Sequence, residues 1–194
     1  MAEFSFELDP FTKKGRRGRR GNVGEFGEVI VEAGYRKPSI AAGHRQLEVR
    51  LYGDQMPDVL YRTVGPGRPR IKNARLTVSG SPARLSFNSK GIRNSQRALS
   101  LTVEGRLYEY VAANLEKGGI LTRPGVSVSL RRGKSSTGKG SSSLGTAVGE
   151  VDAVDLALAV IFEEVDTLEL TTSGAMSDAI NRLLNPGRNE TATD

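Results

Sequence analysis

The chain has 194 residues, 37% of them hydrophobic and 6% aromatic, with no Trp and no Cys. That length allows one domain with a modest core, and the missing cysteines exclude a disulfide scaffold, a thiolate nucleophile and any cysteine-held zinc or iron–sulfur site. The net charge of +6 is unevenly spread: residues 1–40 carry 8 basic and 6 acidic side chains, residues 41–140 carry 18 and 6, and residues 141–194 carry 2 and 10, a cationic body followed by an acidic C-terminal segment.

At the N-terminus Phe4, Phe6 and Leu8 alternate with Ser5 and Glu7, the pattern of an edge strand or of a frayed end. Glu3, Glu7 and Asp9 stand where a secretory signal would carry basic residues, so the protein is not expected to be secreted. The run from Lys13 to Gly21 interleaves six cations with glycines and has no apolar face, which predicts a flexible basic arm over residues 1–22. Such an arm grips phosphates, arginine doing so bidentately.

A basic β-rich body is expected over 23–132. Val29, Val31 and Ala33, then Leu47, Val49 and Leu51, alternate with charged residues, and Val59–Val64 forms a third run. The one histidine, His44, falls in a loop and leaves no multi-histidine metal site. From Val59 to Val103 there is no Asp or Glu, but there are nine Lys or Arg. A one-sign run of that length points to a polyanion partner.

Within that run, Gly67-Arg68-Pro69-Arg70 resembles the AT-hook, whose narrow Gly-Arg-Pro core lies in the minor groove of A·T-rich DNA. Pro66 stands where that family usually has Arg, and a Pro/Gly loop between Val64 and Ile71 accounts for the same residues. Ala74–Ser79 and Ala83–Asn88 read as a hairpin closed by Gly80-Ser81-Pro82, each strand setting a cation and small hydroxyl or amide groups on one face. Leu99, Leu101 and Val103 alternate as a short strand. Leu107, Val111 and Leu115, spaced by four, predict a helix over 106–117 with Gly105 as its N-cap and Tyr108 and Tyr110 as core or rim. Leu99–Val111 resembles the strand and first helix of ribbon-helix-helix DNA-binding proteins, which would set Ser100 and Thr102 in the groove. The second helix of that family is replaced here by Leu121-Thr122-Arg123-Pro124-Gly125.

Val126, Val128 and Leu130 predict a further strand, followed by a flexible Gly/Ser/Lys loop over 133–147. Gly133–Lys139 fits GxxxxGK, but Gly140 replaces the Ser or Thr of a phosphate-binding loop. The acidic segment, 148–194, is expected to pack on or trail the body. Val154–Phe162 fits a helix and a strand equally, and Ser173–Leu184 reads as a short C-terminal helix. Its longest apolar run, Leu156–Phe162, is far short of the ~20 residues of a membrane span. Glu163, Glu164 and Asp166 cluster as a solvated turn or, on a weaker reading, a magnesium site.

The expected fold is α+β, mainly antiparallel β in a barrel or sandwich, with one central helix near 106–117 and a short C-terminal helix. The expected function is non-enzymatic binding of nucleic acid, DNA or RNA. The expected contacts are Lys13, Lys14, Arg16, Arg17, Arg19, Arg20, Arg62, Arg68, Arg70, Lys72, Arg75, Arg84, Lys90, Arg93, Arg97, Arg131 and Arg132. The alternative is a viral or phage structural protein whose arm binds the packaged genome. No cofactor, metal or membrane is expected. A homo-oligomer is, together with a cytoplasmic, nucleoid or nuclear location and a regulatory or protein-binding role for the acidic segment.

Overall fold

Alternating apolar and polar residues run through most of the chain, and all of that alternation serves one closed sheet. The computed structural model describes residues 3–36, 46–64, 69–88, 93–113, 118–133 and 140–174. Its strands are β1 (Glu3–Lys13), β2 (Arg16–Asn22), β3 (Glu28–Arg36), β4 (Gln46–Gly53), β5 (Val59–Thr63) and β6 (Ala74–Val78), then β7 (Ser81–Phe87), β8 (Leu99–Val103), β9 (Arg106–Ala112), β10 (Gly118–Arg123), β11 (Val126–Arg132) and β12 (Ser143–Gly149). Each pairs antiparallel with the next in sequence, and β1 pairs with β12 (Phe6 opposite Gly145) to close the barrel. The mainly antiparallel β fold expected from the sequence is therefore present, in its barrel form.

Three hairpins are closed by two-residue turns, Lys14-Gly15, Ser79-Gly80 and Glu104-Gly105, in which both residues have positive φ. Such turns match the right-handed twist of the strands they join, and Gly adopts the second position without steric cost.

Residues such as Val29, Val31, Leu47, Val49, Leu99, Leu101 and Val128 point inward and are buried. Their neighbours Arg50, Arg75, Arg84, Ser86 and Thr122 stand outside and are mostly exposed. This is the reverse of a membrane-spanning barrel, which turns its apolar residues outward. No helix among the described residues is long and apolar enough to cross a membrane.

Eight strands enclose a space that side chains alone can fill, whereas twelve leave a lumen. The helix α1 (Ala153–Ile161) fills it. Leu156 through Ile161 are all at most 1% exposed, and α1 packs against β4, β5, β10 and β11. Burying Leu156, Leu158, Val160 and Ile161 alone contributes about 6–12 kcal/mol before entropy is counted. Phe162 then stacks on Tyr110 of β9, ring centroids 4.5 Å apart.

Several expectations are corrected. Residues 106–112 form β9, not a helix: Tyr108, Tyr110 and Ala112 face the core while Leu107 is 65% exposed, and Gly105 closes a turn instead of capping a helix. The flexible arm over 1–22 is instead β1 and β2, wall strands of the barrel. The loop over 133–147 contains the start of β12, and 134–139 lie outside the described residues. The acidic segment, as far as it is described, packs against the body from within: α1 occupies the barrel's interior. Residues 172–174 are helical, and the rest of the expected C-terminal helix is outside the described residues, as is His44.

Candidate nucleic-acid interface

Strand register sets the outward cations in a row. Lys13 of β1 lies opposite Arg16 of β2, and continuing the β2–β3 register places Arg16 beside Gly34. Gly34 pairs with Glu48, Glu48 with Arg62, and Arg62 with Arg75. The β6–β7 register then sets Arg75 opposite Arg84. Neighbouring strands are about 4.8 Å apart, so this row crosses seven strands over about 29 Å.

Glu48 is the only carboxylate in the row. It points outward yet is 3% exposed, because arginines cover it: Arg50 Nε and Arg62 Nε each donate to it at 2.8 Å, and Arg16 lies 3.8 Å away. Burial alone would raise its pKa. The hydrogen bond from Arg62 and the charge of Arg50 outweigh that and hold the carboxyl below its ordinary value. Arg16 also donates to Glu32 at 2.7 Å.

Past Glu48 the compensation stops. Arg75 and Arg84 are exposed and have no ion pair or hydrogen bond among the described residues. Like charges set directly opposite one another on neighbouring strands destabilise a sheet, so Arg62, Arg75 and Arg84 are an arrangement that folding alone disfavours. At the other end, a groove of about 290 Å³ is lined by the cations Lys13, Lys14, Arg16 and Arg20, by Phe11, Ile30 and Tyr52, and by one carboxylate, Glu32, which pairs with Arg16. Arg20 sits over the Phe11 ring, 5.8 Å from its centroid, and Tyr52 is 38% exposed.

Not every cation expected to touch a ligand is on this wall. Arg17 and Arg19 face the lumen end, with Arg17 Nε 3.4 Å from Glu164; Arg19 is 6% exposed beside Glu163 and Glu164 and donates to the Ser141 carbonyl at 2.6 Å. Arg132 joins them, with Nε 3.7 Å from Glu163. Arg70 approaches Glu169 at 3.9 Å, and buried Arg97 donates to the Glu169 carbonyl at 2.6 Å. Lys72, Arg93 and Arg131 are exposed. Arg68, Lys90 and the centre of the AT-hook-like stretch lie outside the described residues.

Glu163 and Glu164 are engaged by arginines, and no group of three or more acidic or histidine side chains among the described residues is placed to hold a metal ion. Sequence reasoning missed Arg50, Tyr52 and Phe11. The first two were readable as the polar face of the strand whose apolar face is Leu47, Val49 and Leu51. No family model matches the chain, and neither does any curated protein or any solved structure compared with it.

Proposed function

We propose that this protein binds nucleic acid on the outer wall of the barrel, the phosphate backbone running across β1–β7 instead of along any strand. One observation carries the reading: Arg62, Arg75 and Arg84 face one another on consecutive strands with no carboxylate beyond Glu48, among the described residues, to offset them. A polyanion supplies the missing counter-charge. The row holds five cations against one carboxylate, a surplus of four, set in two groups on β1–β2 and β5–β7. Phe11 and Tyr52 beside the groove add faces on which bases stack, each worth about 1–3 kcal/mol in single-strand binders.

The test is fluorescence anisotropy with labelled single-stranded DNA, duplex DNA and RNA across a salt series. Four phosphates neutralised on a single strand give a log–log salt slope of about −2.8. The double substitution R75Q/R84Q should flatten that slope by about 1.4. A slope unchanged by R75Q/R84Q, or binding that ignores ionic strength, would overturn the proposal.

A further inference from the structure

The groove beside the cationic row contains one residue whose charge repels a phosphate. Register sets Phe11 of β1 opposite Gly18 of β2, and Gly18 opposite Glu32 of β3. This line lies two residues along each strand from the cationic row, about 7 Å to its side. Gly18 has no side chain to fill the middle position, and Phe11 leans over it, with Cε1 3.0 Å from where a Cβ would stand. The wall is thus indented between Phe11 and Glu32, and Tyr52 of β4, opposite Ile30, forms the far side of the indentation. Glu32 and Tyr52 also border a second groove, of about 520 Å³, so the two side chains form a ridge with space on both sides.

The two oxygens of Glu32 are held differently. Oε1 accepts from Arg16 at 2.7 Å, whereas the contact of Oε2 among the described residues is the Tyr52 hydroxyl at 3.5 Å, beyond the usual O–H···O range. One carboxylate oxygen therefore keeps acceptor capacity inside a cationic groove. A phosphate is repelled by such an oxygen. A base with an exocyclic amino group is attracted: carboxylates accept from the cytosine amino group, where uracil and thymine present a carbonyl instead. A groove of about 290 Å³ is at the small end of ligand sites, the size for one planar base. Tyr52, 38% exposed, gives that base a face to stack on. In a duplex the faces of the bases are covered by their neighbours, and the wall carries no protruding helix or ribbon among the described residues to enter a major groove. We propose that the outer wall takes a single strand, an amino-bearing base of which stacks on Tyr52 and donates to Glu32 while its phosphate lies on the cationic row. The inference rests on the outer-wall reading and deepens it, naming the strandedness and the base preference.

Fluorescence anisotropy of the full chain with oligodeoxycytidylate and oligodeoxyuridylate of equal length tests it. The two carry the same charge and backbone and differ in an exocyclic amino group against a carbonyl, so the cationic row alone binds both alike. The expected result is about tenfold tighter binding of the cytidylate, the worth of one hydrogen bond to a charged acceptor. E32Q keeps the side chain's shape but offers an amide that pairs with either base. It should bring the preference below about twofold and tighten binding of the uridylate, because a negative charge leaves the wall. A carboxylate that only anchored Arg16 would, when replaced, weaken both oligonucleotides equally. Y52L should weaken both about tenfold with the salt slope unchanged, whereas R75Q/R84Q should flatten the slope and keep the preference. Salt-dependent binding with equal affinity for the two oligonucleotides overturns this inference alone, as does a preference that survives E32Q, unchanged affinity in Y52L, or tighter binding of a duplex of the same length. Absence of salt-dependent binding to either strand overturns the outer-wall reading along with it.

Discussion

The two ends of the central helix are built from the same residue types and differ in how those residues are held. At the N-terminal end Asp152 caps α1, accepting from the amides of Val154 and Asp155, while the Asp155 carboxylate accepts from the Asp152 amide. Fully buried Asp155 receives Arg123 through two bonds of 2.7 Å, and Arg106 donates to Asp152. Cation and carboxylate are matched one to one. At the C-terminal end three arginines share two carboxylates at 3.2–3.8 Å. A matched, tightly bonded set is a fastening. In the C-terminal set each carboxylate is shared between two arginines, so among the described residues no one-to-one match is made.

If that contrast is right, the two ends respond differently to removal of charge. Asp155→Ala, which strands Arg123 against the helix, should cost about 3–5 kcal/mol in urea unfolding. A loss below about 1 kcal/mol would mean that the N-terminal end is no tighter than the other. Asp152→Ala should cost about 1–2 kcal/mol through the lost cap.

The same residue gives a pH signature. Burial opposes ionisation of Asp152, but the Asp155 amide and Arg106 outweigh it, so the folded pKa lies below the unfolded one. Its stabilising effect is therefore complete above the unfolded Asp value near 4 and is lost as pH falls through the folded pKa. Asp152→Asn, which keeps a capping oxygen, should flatten the acid limb of a melting-temperature profile. An unaltered limb would assign it to other carboxylates.

Glu48 extends the comparison to the outer wall. Its pKa is lowered too, so its contribution disappears in acid with the same sign, and Glu48→Gln should cost about 1 kcal/mol at neutral pH. The smallest effect belongs to the C-terminal end: Glu164→Gln should change stability by no more than about 0.5 kcal/mol. A loss comparable to that of Asp155→Ala would make that end another fastening.

Much of the barrel was legible in the residues. Five of the wall strands, β3, β4 and β6–β8, follow from period-2 alternation bounded by Gly and Pro, as does β11, and β5 from the apolar run at Val59–Val64. What escaped did so for physical reasons. On β2 the inward positions are Arg17, Arg19 and Gly21, not apolar residues; the partners that make Arg19 an interior residue, Glu163 and Glu164, lie more than 140 positions away in sequence. On β9 Leu107 and Val111 happen to be four apart, which imitates a helical stripe, while the buried pair Tyr108 and Tyr110 carries the true period of two. For α1 no period could decide, because a helix surrounded by wall on every side has no polar face to mark its turn. The cationic row was visible only as a scarcity of carboxylates. Its alignment depends on register, which spacing along one strand does not disclose.

The placement of α1 after the last strand also bears on how the molecule is made. The pairing of β1 with β12 joins residues nearly 140 positions apart, and the plug that fills the lumen follows β12 in the chain. The wall thus has to close around a segment that comes later in the sequence than all of its twelve strands. Closure of so long a loop brings little reward until the plug is in place, which puts this chain among slow folders of high contact order, on the scale of milliseconds to seconds or longer. During synthesis the eleven hairpin-connected pairings can assemble as a curved sheet. That sheet keeps two open edges and an uncovered apolar face until residues 153–161 arrive.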